Sequence, residues 1–124
     1  MRKVTIVALL VFAFSLVLPA IAFASVPHYS VSYSKAQIYR AAVAAHTSST
    51  DRSDLNWIAS RESSFHNWSD NGSCHGLFQL STGMVRNHPW WNPYWNTTRA
   101  IKYMRGRYGS IHRAKLFWLS HHWY

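Results

Sequence analysis

The amino-acid sequence predicts a small, mainly α-helical domain, and three observations support this fold class. Segments rich in helix-forming residues carry apolar side chains three or four positions apart. Ser, Thr or Asp precedes these segments, where such residues can cap a helix N-terminus. The sequence contains no convincing run of alternating apolar and polar residues, the pattern that would indicate a half-buried strand.

Four longer helices and one short helix are expected within residues 35–124, the predicted folded domain. Their expected ranges are 35–45, a segment from Asp51 or Ser53 to about 63, 99–108, 111–120, and a short helix after Ser81 and Thr82. Residues 25–34 are polar and are predicted to form a flexible leader. Residues 87–96 contain two prolines and three tryptophans and are predicted to be too irregular for a helix.

Apolar spacing assigns a buried face to each expected helix. The first helix is expected to bury Ile38, Ala42, Val43 and Ala45. The last helix is expected to bury Ala114, Phe117 and Trp118. Residues 66–76 are rich in Gly, Asn and Ser and are predicted to form a loop with a turn near Gly72.

The first 24 residues have the features of a secretory signal peptide. Arg2 and Lys3 precede an apolar run over residues 4–18, and residues 22–24 read Ala-Phe-Ala, a small-residue cleavage site. The apolar run is also long enough for an uncleaved membrane anchor, but Pro19 favours cleavage. We therefore expect a protein that is secreted or associated with the cell wall, with about 100 residues left for one domain.

The charge of the exported part is strongly positive. Without Arg2 and Lys3, eleven Lys and Arg residues remain against four acidic residues, a formal net charge of +7. Such a charge attracts anionic wall polymers or acidic lipids, or it serves solubility alone. Because no nucleic-acid-binding module accompanies the scattered cations, nucleic acid is not an expected partner. No stable membrane insertion is expected after cleavage of the signal peptide.

Disulfides, metals and cofactors are not expected. Cys74 is the only cysteine, so no internal disulfide can form. The histidines show no recognised ligand spacing. Cys74 has no obvious base beside it in the sequence, so it is expected to be inert rather than a nucleophile.

Glu62 is the strongest candidate for chemistry because it is the only glutamate in the chain. It lies on the face of the second expected helix that also carries Leu55, Ile58 and Phe65. Apolar neighbours raise the pKa of a carboxyl group, which can then act as a general acid near neutral pH. The alternative is a buried glutamate paired with Arg61 or Arg99.

Several motifs resemble those of the soluble lytic transglycosylases and goose-type lysozymes. Residues 61–65 (RESSF) and 76–80 (GLFQL) are similar to the E-S-x-F and G-L-M-Q-[IL] motifs of that family. Residues 96–109 resemble its N-I-x-x-G-x-x-Y-L helix, with Ala100 in the glycine position. The C-terminal segment is similar to the aggregation-promoting-factor surface proteins of Gram-positive bacteria. The resemblance covers residues 55–124 and implies a small, lysozyme-like (SLT-type) helical domain.

The resemblance also implies roles for individual residues. Glu62 matches the catalytic acid/base of the family, and Ser63 matches the serine beside it. Gln79 matches a glutamine that binds sugar, Tyr103 matches a tyrosine of the cleft, and Phe78 is placed with them as a substrate-binding residue. The family has a Tyr-Asn-Ala-Gly segment where residues 117–119 read Phe-Trp-Leu, so no asparagine is expected to support the site from that side.

Two further observations bear on the substrate and the reaction. Trp90 and Trp91 are expected to form a cleft wall, because sugar rings stack on aromatic side chains; core packing is the alternative. Asp51 and Asp54 resemble helix caps and Asp70 lies in a turn, so a second catalytic carboxylate is not expected.

The expected function is therefore cleavage of the MurNAc–GlcNAc β-1,4 bond in the glycan strands of peptidoglycan by a lytic transglycosylase. In such an enzyme the N-acetyl group of the substrate is thought to stabilise the cation. The alternatives are a hydrolytic lysozyme and a non-catalytic surface protein that binds cell walls.

Overall fold

The computed structural model describes residues 25–124, so the predicted signal peptide lies outside the described residues. This part of the chain is 60% helix and 5% strand, which confirms the predicted mainly α class. The elements in chain order are α1 (Val31–Ala44), α2 (Ser49–Ser63), β1 (Cys74–His75), β2 (Leu80–Ser81), α3 (Thr82–Val85), α4 (Pro93–Tyr108) and α5 (Ile111–His121).

Helix α1 begins four residues before its predicted start at residue 35. Ser30 is its N-cap, and the Ser30 hydroxyl accepts a hydrogen bond from the Tyr33 amide. The preceding residues are also held, because Asn67 accepts from the Tyr29 amide and donates to the Pro27 carbonyl. The ordered chain therefore extends into the predicted leader at residues 25–34. The partner is about 40 residues away in sequence, so no local pattern indicates it.

The buried face of α1 differs from the predicted one at Val43 and Ala45. Ala45 is only partly buried and forms the C-cap of the helix. Ile38 and Ala42 are fully buried as predicted, but Val43 is 47% exposed. Ala41 and Gln37 complete the buried stripe instead. Because α1 packs mainly against α4, the direction of α4 decides which side of α1 faces the core.

Helix α4 begins at Pro93, six residues before its predicted start at residue 99. Asn92 is the N-cap and accepts a hydrogen bond from the Trp95 amide. Proline is favourable at the first helical position, where a missing N–H leaves no carbonyl unpaired. The prediction of an irregular segment through residue 96 is therefore wrong for residues 93–96. Gly109 ends α4 in the left-handed conformation (φ 84°), as predicted.

A small hairpin lies between α2 and α3, where no strand was predicted. Strands β1 and β2 pair antiparallel with Cys74 opposite Ser81 and His75 opposite Leu80. Strands of two residues are too short to show an alternating pattern, which explains why the sequence does not reveal them. No helix within residues 25–124 is long and apolar enough to cross a membrane.

Asn96 of α4 fixes the hairpin against the helices. Its fully buried side chain accepts a hydrogen bond from the Phe78 amide at 3.0 Å and donates to the carbonyls of His75 and Trp90 at 3.2 and 3.1 Å. Gly76 makes this approach possible. At its φ of 79°, a Cβ atom would clash with the Asn96 side chain and lie 2.7 Å from the Trp90 carbonyl oxygen.

The hydrophobic core lies between these elements. All four longer helices and the hairpin contribute fully buried members, and those of α2, the hairpin and α4 include Leu55, Ile58, Leu77, Phe78, Ala100 and Met104. The end of α2, the hairpin and the second half of α4 therefore form one packed unit, and it is this unit that carries the candidate site.

Candidate active site

The sequence around Glu62 ends helix α2 immediately after that residue. The Ser63 hydroxyl donates to the Ala59 carbonyl inside the helix. Ser64 and Phe65 adopt left-handed conformations (φ 52° and 63°), which stop the helix and turn the Phe65 ring back onto the core. The carboxyl group of Glu62 is therefore held in the last turn of α2, next to the apolar core.

Glu62 is half-buried and has no cationic partner. Trp118 of α5 donates from its indole Nε1 to Glu62 Oε1 at 2.6 Å. Burial raises the pKa of the Glu62 carboxyl above its ordinary value of 4.5, and the hydrogen bond from Trp118 opposes part of that rise. No Lys, Arg or His lies within salt-bridge distance of Glu62 among residues 25–124, so the alternative pairing with Arg61 or Arg99 is not formed.

Trp118 is the site residue that the sequence did not reveal. It was predicted to be buried, whereas the structure leaves it half-buried, with its ring edge against Trp57 at 5.0 Å between centroids. No asparagine supports Glu62 from α5, as expected, but Trp118 supplies a donor from that side. The sequence did contain a signal for this contact. A tryptophan expected to be buried must find an acceptor for its single indole N–H group.

A cleft of about 340 Å³ lies beside Glu62, and we call it the Glu62 cleft. Its lining includes Cys74, Gln79, Met84, Tyr103, Arg107 and Tyr124. Burial raises the pKa of the Cys74 thiol, and the nearby Glu62 carboxylate raises it further. Burial and the same carboxylate also raise the pKa of the Tyr124 phenol. Because the Glu62 carboxylate raises the pKa of two residues of the lining, it lies close to the cleft, although Glu62 itself is not part of the lining.

Gln79 is held rigidly at the floor of the Glu62 cleft. Its backbone has a φ of 49°, which an ordinary residue adopts only when the surroundings impose it. The side-chain Nε2 donates to the carbonyls of Ser69 at 3.0 Å and Gly76 at 2.9 Å. The remaining oxygen, Oε1, accepts no hydrogen bond from the described residues. Gln79 can therefore offer a fixed acceptor to the N–H or O–H group of a ligand.

Aromatic rings form one wall of the Glu62 cleft. Tyr103 of α4 and Tyr124 lie with their ring centroids 5.9 Å apart. The Tyr124 hydroxyl donates to the Phe78 carbonyl, which ties this ring to the hairpin. The guanidinium of Arg107 lies over the Tyr103 ring at 5.9 Å. Tyr103 therefore lines the cleft, and Tyr124 joins it from the C-terminal end.

Phe78 and Ser63 do not line the Glu62 cleft. Phe78 is fully buried in the core, and only its backbone takes part in the site, through its hydrogen bonds with Asn96 and Tyr124. Ser63 is 7% exposed, and its hydroxyl is directed back into α2. This corrects the expectation that these two side chains contact substrate, because a motif position does not show whether a side chain faces the cleft or the core.

Trp90 and Trp91 also lie away from the Glu62 cleft. They line a different groove of about 490 Å³ together with His75 and Val85, and this groove shares no lining residue with the cleft. Asn96 holds the Trp90 carbonyl, and Asn67 holds the Trp91 carbonyl at 2.9 Å. The structure therefore corrects the expectation that these two rings form the wall beside Glu62.

The carboxylates on α2 are too far from Glu62 to act with it. Asp54 and Asp51 precede Glu62 by eight and eleven residues, which correspond to about 12 and about 16 Å along a helix. Paired catalytic carboxyls in glycosidases lie about 5 to 9.5 Å apart. Asp54 is also buried and ion-paired. Its Oδ1 lies 3.0 Å from Lys115 Nζ, and its Oδ2 lies 2.8 Å from His112 Nδ1.

Asp70 has structural partners within the hairpin. Its Oδ1 accepts from the Gly72 amide at 2.7 Å, which forms the predicted turn, and lies 3.1 Å from His75 Nδ1. His75 Nε2 in turn lies 2.8 Å from the Thr82 hydroxyl. These contacts account for Asp70 as a residue that shapes the loop. Within residues 25–124, no group of three His, Cys, Asp or Glu side chains could hold a metal ion.

Comparisons of the chain with protein-family models, with curated proteins and with solved structures gave no match. Function is therefore inferred from the geometry of the site and from the motifs of the sequence.

Proposed function

We propose that this protein cleaves the β-1,4 bond between MurNAc and GlcNAc in peptidoglycan, as a lytic transglycosylase in which Glu62 is the only acid/base. The observation that carries the proposal is the environment of Glu62. Its carboxyl group is half-buried, has a raised pKa, has no cationic partner among residues 25–124 and lies close to a cleft. A carboxyl group in this state keeps its proton to higher pH and can give it to a leaving oxygen.

In the proposed reaction, protonated Glu62 first donates its proton to the glycosidic oxygen. The bond from that oxygen to C1 of MurNAc breaks, and the N-acetyl group of the same sugar stabilises the positive charge. The Glu62 carboxylate then accepts the proton of the MurNAc 6-hydroxyl while the hydroxyl oxygen attacks C1. The products are a free GlcNAc end and a 1,6-anhydro-MurNAc end, and Glu62 returns to its protonated form.

The neighbours of Glu62 have distinct roles in this proposal. Trp118 donates to Glu62 Oε1 and stabilises the carboxylate that exists between the two proton transfers, so it is a positioning residue. Gln79 offers its fixed Oε1 to an N–H or O–H group of the sugar. Tyr103 provides a ring face in the cleft, which suits the apolar face of a pyranose.

Transglycosylation is favoured over hydrolysis because Asp51 and Asp54 lie too far along α2, while Asp70 accepts from the Gly72 amide and contacts His75. A hydrolase uses a second carboxylate as nucleophile or to activate water, and neither Asp51 nor Asp54 is within reach. The 6-hydroxyl is attached to the reacting sugar, so its effective concentration at C1 is very high. We further propose that the protein is secreted and acts at the cell wall, in keeping with the predicted signal peptide.

Zymography of the purified protein on bacterial cell walls tests this proposal. Glu62→Gln should lower the cleavage rate by about 10²–10⁴-fold. The variant keeps an oxygen that can accept from Trp118, so the fold should be preserved. Asp51→Asn is the matched control, because it also converts a carboxylate to an amide but lies at the far end of α2. Equal activity in the Glu62→Gln variant and the wild type would refute the assignment.

A further inference from the structure

A second concave surface lies next to the Glu62 cleft, and its charge is strongly positive. This groove of about 440 Å³ is lined by Arg86, Arg99 and Lys102, with His88 and Trp95 beside them. We call it the basic groove. Met84 lines both the basic groove and the Glu62 cleft, so the two are neighbours on the surface.

The helical register gathers these side chains on one side of α4. Trp95, Arg99 and Lys102 follow one another at intervals of four and three residues, which places them on one helix face. Arg86 reaches the same groove from the end of α3. The His88 ring stacks on Trp95 at 5.1 Å between centroids, and this pair forms an aromatic floor beside the cations.

None of the three cations has an anionic partner within residues 25–124. The ion pairs of this part of the chain join Asp54 to Lys115 and His112, and Asp70 to His75. Arg86, Arg99 and Lys102 also donate no side-chain hydrogen bond to the described residues. Like charges on one face of a helix repel each other, so this arrangement costs stability rather than adding to it. A bound anion would remove that repulsion.

We infer that the basic groove binds the phosphate groups of a phosphodiester-linked polyol polymer of the cell wall. Phosphate suits two guanidinium groups, which can each donate two hydrogen bonds to its oxygens. A chain of repeated phosphates can occupy several cations at once, and the His88–Trp95 floor suits the carbon backbone of a polyol. The choice of a wall polymer rests on the proposed function, since the adjoining cleft is assigned to peptidoglycan.

Binding of the purified protein to soluble poly(glycerol phosphate), measured by isothermal titration calorimetry, tests this inference. The triple variant Arg86→Gln, Arg99→Gln, Lys102→Gln should bind at least about tenfold more weakly than the wild type. The matched control is Lys35→Gln, Arg61→Gln, Arg113→Gln, which removes the same charge from α1, α2 and α5 and should lose less than about threefold. Circular dichroism should show that both triple variants remain folded, since the three groove cations are on the surface.

Three outcomes would overturn the inference. One is an equal loss of affinity in the two triple variants, which would mean that only the total charge matters. Another is the absence of binding by the wild type at 50 mM salt. The third is tighter groove-dependent binding to phosphatidylglycerol vesicles or to single-stranded DNA than to the polymer.

Cleavage of walls stripped of phosphate polymers separates this inference from the proposed function. The groove variant should cleave such walls as fast as the wild type, while Glu62→Gln should not cleave them. If Glu62→Gln is active but polymer binding still depends on the groove, the proposed function fails and the phosphate site stands. If cleavage depends on Glu62 but the polymer does not bind, the proposed function stands and the phosphate site fails.

Discussion

The Glu62 cleft and the basic groove adjoin at Met84, yet their charged groups lie in opposite environments. Glu62 is a single carboxyl, half-buried and hydrogen-bonded to one indole. Arg86 and Lys102 of the groove are exposed, and the groove contains no acidic residue. Burial changes the pKa of a group and suits it to proton transfer, whereas exposure leaves cations permanently charged and able to attract anions.

Under the proposed function, this difference assigns chemistry to the Glu62 cleft and polymer binding to the basic groove. A change in the cleft should alter the rate of cleavage and its dependence on pH. A change in the groove should alter affinity for anionic polymers and its dependence on salt. The predictions below, ordered from the largest expected effect to the smallest, test whether the two surfaces are separable in this way.

The largest effect is expected from Glu62→Gln compared with Arg99→Gln. The first change removes the proton donor and should lower the cleavage rate by about 10²–10⁴-fold. The second removes one groove cation and should leave cleavage of polymer-free walls within about twofold of the wild type. Turnover of purified glycan strands measures both. A similar loss in the two variants would show that the cleft and the groove form a single site.

A large effect on stability is expected from Asn96→Ala. The change leaves the Phe78 amide and two buried carbonyls without their partner, which should cost about 2–5 kcal/mol in the free energy of unfolding. Asn92→Ala removes only an exposed helix cap and should cost about 1 kcal/mol. Urea denaturation followed by circular dichroism measures the difference. Equal costs would mean that the Asn96 contacts do not hold the hairpin.

A smaller effect is expected from Trp118→Phe. The hydrogen bond from Trp118 lowers the pKa of Glu62, so its removal should raise that pKa. The protonated form would then persist to higher pH, and the alkaline limb of the kcat/KM profile should shift to higher pH. The maximal rate should fall by about tenfold or less, because the group becomes a weaker acid. Trp91→Phe is the control, because it changes an indole that lines a groove apart from the Glu62 cleft. A limb that stays in place in Trp118→Phe would remove Trp118 from the site.

The smallest effect is the pH dependence of stability in Glu62→Gln. Because burial raises the folded-state pKa of Glu62, the folded protein binds its proton more tightly than the unfolded chain does. Wild-type stability therefore falls as pH rises through this pKa window, and the glutamine variant should have the higher Tm at neutral pH. The gain should be about 1 kcal/mol or less, since solvent screens a half-exposed group. It should vanish below pH 4.5, where Glu62 is protonated in both states. A gain that is independent of pH would contradict the raised pKa.

Local sequence was sufficient to predict much of the fold. The helical class, the end of α2 and the glycine cap of α4 follow from nearby residues. The starts of α1, α2 and α4 were missed because several Ser, Thr, Asp and Asn residues compete as caps, and only packing selects Ser30, Ser48 and Asn92. Boundaries of this kind depend on tertiary contacts that no window of sequence contains.

Candidate site residues could be predicted from the sequence only where they belong to one short motif. Glu62 and Gln79 belong to compact motifs, and the structure places Gln79 in the lining of the cleft and Glu62 close to it. Trp118 meets Glu62 across 56 residues of sequence, and Tyr124 meets Phe78 across 46, so neither contact has a local signature. Trp90 and Trp91 were assigned by residue type alone, which does not specify the groove that a ring will line.

Mass spectrometry of glycan strands digested by the purified protein is the most direct test of a single acid/base at Glu62. With Asp51 and Asp54 out of reach and Asp70 engaged by Gly72 and His75, the attached 6-hydroxyl should capture the sugar cation. The account predicts products with 1,6-anhydro-MurNAc ends, one water lighter than hydrolysis products, and no such products from Glu62→Gln. Predominantly reducing MurNAc ends would contradict it, and Asp70→Asn would then show whether Asp70 is the missing partner.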